Sequence, residues 1–411
     1  MFSVEECRRQ FPALQRRVDG KRPMFLDGPG GTQVPQRVLD AMVQYLTTCN
    51  ANQGGAFTTS HESDEILSGA HQAAADLLNA PSADEIVFGA NMTTLTFHLS
   101  RAFGRTLRPG DELLVTRLDH DANVSPWVLA ARDAGATARF VDIHPEDCTL
   151  DLEDLRRQLS PKVRLLAVAC ASNVVGTVNN VREITRLAHA VGALVYLDAV
   201  HYAPHGLLDV REWGCDFLAC SAYKFFGPHV GILWGRRELL ASLPAYKLRP
   251  ATEELPGRWM TGTQNHEGLA GVTAAVDYIA SIGATRTADR SRRERVIHAF
   301  AAIQEYERSL TNRLLDGLIS RPRFRVWGIT RREQREWRVP TISITAADRT
   351  PLQIAEHLAA HEIYAWNGNM YALELTERLG LEERGGLLRL GMVHYNTFEE
   401  IDRLLQVLDE M

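Results

Sequence analysis

From Glu85 onward the chain alternates short apolar runs with amphipathic stretches. EIVFG (85–89), ELLVT (112–116), ARFVDI (138–143), VRLLAVACAS (163–172), ALVYLDA (193–199), CDFLACS (215–221) and HVGILWG (229–235) have the length and apolar continuity of buried strands. Helical periodicity follows Asn91 and fills SPWVLAARDAG (125–135), DLEDLRRQL (151–159) and REITRLAHAVG (182–192). Apolar strands separated by amphipathic helices predict an α/β fold, a mainly parallel sheet covered on both faces. From about Thr263 the pattern changes. Helical EGLAGVTAAVDYIASIG (267–283) and a long charged helix over about 290–319 come first. Strand-like RFRVWGI and TISITA, helical PLQIAEHLAAH, strand-like IYAW and GLLRLGMV, and a closing helix FEEIDRLLQVLDEM then predict a smaller α+β unit. The run RTADRSRRER (286–295) reads as a solvated helix start rather than an anion site.

In a parallel sheet, ligands sit beyond the carboxyl ends of the strands, and the polar residues of this chain gather there. Asp198 ends ALVYLD, where a buried carboxylate is costly unless it meets a cation. His201 follows three residues later and Lys224 twenty-six residues later, alone among small, aromatic and glycine residues in CSAYKFFGP. Asn173 follows VRLLAVACAS, and His120 follows ELLVT. Asn91, Met92, Thr93 and Thr94 join EIVFG to the next helix, where free backbone N–H groups suit a phosphate. His205 and His229 read as histidines that satisfy a nearby backbone group, and Cys220 as a small core residue.

Bulk properties narrow the field. The chain has 411 residues, a formal charge of −6 and 45% hydrophobic residues, which is ordinary globular composition. Mild acidity argues against a nucleic-acid surface, and no apolar run is long enough to cross a bilayer. The N-terminus carries charges where a signal peptide needs an apolar core. The six cysteines are scattered with no CxxC pair, so neither a metal site nor a disulfide framework is expected and a reduced, cytoplasmic setting is.

The strand-end set suits pyridoxal 5′-phosphate, which needs a lysine for its Schiff base, a carboxylate on its ring nitrogen and donors for its phosphate. Lys224 and Asp198 supply the first two. Met92 and Thr93, with Ser221 and Tyr223, are candidates for the phosphate, His120 for stacking on the ring, and Asn173 or His201 for the ring hydroxyl.

LDHDAN, ASNVVGT, YLDAVH and SAYKFFGP, with FLDGPGGTQVP, TGTQN and LRLGMVHYNTFEEIDRLL, occur in the order and spacing of cysteine desulfurases and their class V aminotransferase relatives. The sequence resembles that group over nearly its whole length. The resemblance implies a fold-type I pyridoxal-phosphate enzyme with a seven-stranded, mainly parallel sheet. It implies an N-terminal segment (1–20) packed on the small domain, a large cofactor domain (21–285) and a small C-terminal domain (286–411). It also implies roles. Lys224 is the Schiff-base lysine, Asp198 the ring-nitrogen partner and His120 the stacking histidine. Asn173 lies near the ring hydroxyl and substrate. His201 stands where desulfurases have glutamine. Ser221 and Tyr223 match a phosphate pair, Thr263 a phosphate ligand donated by the neighbouring subunit of a homodimer, and Arg389 the clamp on the substrate carboxylate.

One departure shapes the expected activity. Desulfurases carry a nucleophilic cysteine on a loop before the arginine strand. Here that stretch reads WNGNMYALEL, the matching place falls on Tyr371, and no cysteine lies beyond Cys220. NANQGGAF likewise has glycines where many desulfurases have an Arg–Gly segment. The leading expectation is therefore α-proton abstraction with α,β-elimination from a cysteine- or cystine-like amino acid, with Tyr371 at the substrate. The alternatives are desulfuration onto another acceptor, racemisation, transamination and carbon–carbon bond formation.

Overall fold

The computed structural model describes residues 2–283 and 290–411. The expected boundary at 285/286, and residues 286–289 of the arginine-rich run, lie outside them. The seven-stranded sheet has the spatial order Ile86–Gly89, Gly231–Gly235, Phe217–Ser221, Leu194–Asp198, Val163–Ala169, Glu112–Thr116 and Thr137–Val141. Gly231–Gly235 is antiparallel to both neighbours, and every other pairing is parallel. Six strands therefore point one way, and their carboxyl ends open on one edge.

Alternation along the central strands fills two cores. Leu166 and Val168 enter the core on one face, Leu165 and Ala167 the core on the other. This is why the strands read as continuous apolar runs rather than as alternating ones. A second, antiparallel sheet has the order Phe324–Trp327, Thr341–Ala346, Leu387–Gly391 and Trp366–Gly368. IYAW, expected as one strand, is divided. Ile363–Tyr364 pairs with Met24–Phe25, and Trp366–Gly368 joins the antiparallel sheet. The long charged helix runs Arg292–Ile319 behind a Ser291/Glu294 capping box. Two long helices, Gln36–Thr48 and Thr58–Leu78, went unread in the sequence, as did short ones such as Val4–Arg9 and Arg237–Ser242.

The two sheets meet through polar contacts at specific turns. Gly176, in ASNVVGT, has φ +74°, and a Cβ there would run into the Thr341 carbonyl. Ser343 Oγ donates to the Val174 carbonyl (2.6 Å), and buried Arg338 donates to the carbonyls of Val175 (2.9 Å) and Thr341 (2.8 Å). Arg8, near the N-terminus, donates to the Tyr395 carbonyl (2.5 Å) and pairs with Glu400 (2.9 Å). His205 does not satisfy a backbone group as expected. Its Nδ1 meets the carboxylate of Glu307 at 2.9 Å, with both side chains buried. A partner 102 residues away leaves no local signal.

Breaking this pair strands a buried polar group. We expect Glu307→Ala to destabilise the fold by about 3 kcal/mol, read as a lowered denaturation midpoint, with Glu307→Gln costing less because its amide oxygen still accepts from His205.

Candidate active site

The strand ends surround a cavity of about 830 Å³. It is lined by Met92, Thr93, His120, Asn173, Asp198, His201, Ser221, Tyr223, Lys224, Tyr371 and Arg389, which are all of the residues singled out in the sequence except Thr263. Exposed Thr263 lines an adjacent cavity of about 890 Å³ that shares Thr94 and His229 with the first.

Lys224 sits in a single 3₁₀ turn, Ala222–Lys224, immediately after strand Phe217–Ser221. Its ammonium donates to the Pro29 carbonyl and lies 4.8 Å from the centroid of the Tyr223 ring. Tyr223 in turn stacks on His229 at 4.9 Å. Asp198 closes the neighbouring strand. One of its oxygens accepts from Val200 N–H (2.8 Å).

At the other end of the cavity, helix Met92–Gly104 begins. Asn91 caps it, accepting from Thr94 N–H (2.9 Å). Ser221 Oγ accepts from Met92 N–H (2.9 Å), so Met92 is committed to Ser221, while Thr93 sits between them in the first turn. Gly231 is required here, because a Cβ on it would strike the Asn91 backbone.

His120 caps a short turn, its Nδ1 accepting from Ala122 N–H (3.0 Å). Neither Asp119 nor Asp121 takes it, and the accepting Nδ1 leaves the proton on Nε2. The sequence reading missed Asp119. This buried carboxylate accepts from Thr116 Oγ1 (2.5 Å) and Asn123 Nδ2 (2.6 Å), holding the turn that carries His120. His201 Nε2 shares a hydrogen bond with Thr341 Oγ1 (3.0 Å). Asn173 is a junction. Its carbonyl accepts from Arg389 (2.9 Å), its Nδ2 donates to the Met370 carbonyl (2.9 Å), and its buried Oδ1 has no partner among the described residues. Arg389 Nε is also buried and unpartnered. Asp27, another residue the sequence reading passed over, lies close enough to favour the charged form of Arg389.

The electrostatics follow from burial. Desolvation, then the positive charge of Arg389, lower the Lys224 pKa to about 7 against the opposing charge of Asp198. Desolvation also lowers His120 to about 4, helped by Lys224 and Arg389, so its ring is neutral at pH 7. Desolvation raises Asp198 to about 6, against the Val200 N–H bond and Lys224. In the cofactor-free chain the Lys224 amine should therefore become reactive as pH rises through about 7. Competitive acylation of Lys224 against pH checks this. Arg389→Met should move the midpoint up by removing a cation, and Asp198→Asn should move it down by removing the anion that favours the ammonium.

These features fit pyridoxal 5′-phosphate. A low-pKa amine and a strand-end carboxylate with one hydrogen bond face the same space, with a helix N-terminus for the phosphate. The buried Arg389 Nε and Asn173 Oδ1 remain to be satisfied. The sequence matches the aminotransferase class-V family over residues 24–404. It is 35% identical to the aminotransferase-like protein FGM3 of Gibberella zeae, covering 99% of this chain and 98% of that one. It is 31% identical to a cysteine desulfurase of Serratia proteamaculans, covering 100% and 98%. The fold superposes on the cysteine desulfurase CsdA of Escherichia coli with a TM-score of 0.85 at 27% identity, covering 100% and 98%. A cysteine desulfurase from Thermococcus onnurineus gives a TM-score of 0.88 over 100% and 98%, at 24% identity. Carrying this fold and cofactor chemistry over its whole length, the chain belongs to the aminotransferase class-V family and is a pyridoxal-phosphate-dependent enzyme of cysteine desulfurase-like type.

Proposed function

We propose that the enzyme removes the α-proton of a cysteine- or cystine-like amino acid and expels its β-substituent, without forming a persulfide on the protein. One observation carries this reading: all six cysteines are buried, and none lines the cavity. Burial pushes the thiols of Cys7 and Cys148 up to about 11, and those of Cys170, Cys215 and Cys220 higher still. A buried thiol held protonated is a poor nucleophile. At the desulfurase cysteine's place stands Tyr371, whose phenol cannot carry sulfane sulfur.

When bound, pyridoxal 5′-phosphate supplies the electron sink that acidifies the substrate α-carbon. In this reading Lys224 holds the cofactor and then, as a neutral amine, accepts the α-proton at Nζ. An amine with a pKa near 7 has both the free base and the driving force for that transfer. Asp198 would keep the ring nitrogen protonated, and neutral His120 would be placed to stack beside the ring. Ser221, Tyr223 and Thr93 would hold the phosphate, with Met92 N–H fixing Ser221 and with Asn173 and His201 near the ring hydroxyl. Arg389 meets the substrate carboxylate with its unpartnered edge. The C–S bond breaks with its electron pair on sulfur, and the released three-carbon fragment hydrolyses to pyruvate and ammonia. Residues of the larger unit (21–285) would hold the cofactor, and Thr263 would bind the phosphate in the other subunit of a homodimer.

Product analysis tests the reading. The holoenzyme with L-cystine should yield pyruvate, and with L-cysteine plus reductant pyruvate and sulfide but no alanine. Alanine accompanied by sulfide would instead establish desulfuration, and the reading would fall. Lys224→Ala should abolish pyruvate formation.

A further inference from the structure

Once the cofactor and carboxylate contacts are assigned, one stretch of the cavity wall has no role. It is the run 366–371, WNGNMY, six consecutive lining residues without a formal charge. Two large aromatic side chains in it face solvent. Tyr371 is 73% exposed and Trp366 is 55% exposed.

The wall is also held in place. Met370 (φ +49°) and Tyr371 (φ +59°) are consecutive non-glycine residues in the left-handed region. That conformation persists only where the surroundings enforce it. Asn173 Nδ2 donates to the Met370 carbonyl (2.9 Å), and Asp121 N–H donates to the Tyr371 carbonyl (2.7 Å). Tyr371 N–H is taken by Asn369 Oδ1 (3.0 Å), and Asn369 Nδ2 reaches Glu382 (3.3 Å). The Tyr371 ring stacks on His120, with centroids 5.5 Å apart and planes 23° from parallel. Trp366 is set against Gly30, where a Cβ would come within 2.6 Å of the indole nitrogen. Asn173 also holds Arg389 through its carbonyl (2.9 Å). The carboxylate clamp and this wall therefore share one anchor.

Bound at Arg389, an amino acid must direct its β-substituent to some part of the remaining lining. The cationic residues of the cavity repel a cationic substituent, and the wall holds no charged side chain to pair with an anionic one, its free donors being the Asn367 amide, the Trp366 indole N–H and the Tyr371 hydroxyl. Flat rings and the Met370 thioether suit an uncharged, polarisable group. We propose that the 366–371 turn is the recognition wall for the β-substituent, and that it favours a cysteine-like amino acid carrying an uncharged aryl-thioether group there over the charged second half of cystine. This rests on the elimination reading for its chemistry but not for its binding.

The test compares S-phenyl-, S-methyl- and S-carboxymethyl-L-cysteine on the holoenzyme. Dissociation constants come from the change in cofactor absorbance and are read beside pyruvate release. β-Chloro-L-alanine serves as a small substrate with a good leaving group. S-Phenyl-L-cysteine should bind about three- to tenfold tighter than S-methyl-L-cysteine, the gain expected from one ring contact. S-Carboxymethyl-L-cysteine should bind weakest. Tyr371→Phe should keep the phenyl-to-methyl ratio, and Tyr371→Ala should bring it towards one. Pyruvate from β-chloro-L-alanine with no phenyl preference overturns the wall and leaves elimination standing. No pyruvate from any compound overturns elimination. The dissociation constants then decide the wall alone, and S-phenyl binding no tighter than S-carboxymethyl defeats it.

Discussion

The active site is organised around one amine that the fold keeps out of water. Lys224 would hold its proton to about pH 10.5 in solution and releases it near 7 here. Three influences set that value: desolvation, the like charge of Arg389, and the opposing charge of Asp198. The sign has a consequence for the fold. Between about pH 7 and 10.5 the unfolded chain binds the proton that the folded chain has released. Stability from this group therefore rises with pH across that window and is absent below it. Burial, with the charges of Lys224 and Arg389, keeps His120 neutral, so its ring adds no further positive charge beside the amine.

Holding that amine in place is a matter of strand order. Asp198 and Lys224 come from adjacent parallel strands, and strand Val163–Ala169 on the other side delivers Asn173. Arg389 comes from the second sheet, at a residue paired with Ser343. Ser343 is itself tied to Val174. The cation that tunes Lys224 is thus positioned by the contact between the two sheets, and small shifts there would be felt at the amine. His201 belongs to the same seam, because its Nε2 is held by Thr341 of the second sheet.

What the sequence disclosed follows from this plan. A polar residue at the end of an apolar strand is a local pattern, and in a parallel sheet all such ends converge. Lys224, Asp198, His120, Asn173 and Ser221 were legible for that reason. Asp27 and Asp119 were not, because their meaning depends on partners. Asp119 was passed over beside His120, although its network spans only Thr116 to Asn123. Asp27 acts on Arg389 from the far end of the chain. Helices Gln36–Thr48 and Thr58–Leu78 went unread. The first begins behind Pro35 without a side-chain cap and the second behind Phe57 in the same way, so the usual start signals are missing. The splitting of IYAW reflects a choice of partner strand, which periodicity cannot supply.

Tyr371 shows where local reading stops. Its position was evident from the order of motifs, but its conformation was not. Two consecutive left-handed residues without glycine have no sequence signature, since the cost is met by hydrogen bonds from Asn173 and Asp121, both far earlier in the chain. Those bonds change what this turn can do. A loop that carried a reactive thiol to an acceptor would have to move, and motion would break both bonds and the stack on His120. In the proposed elimination no thiol has to be delivered, and a ring on a fixed backbone would serve that reaction as a surface against which substrates are discriminated.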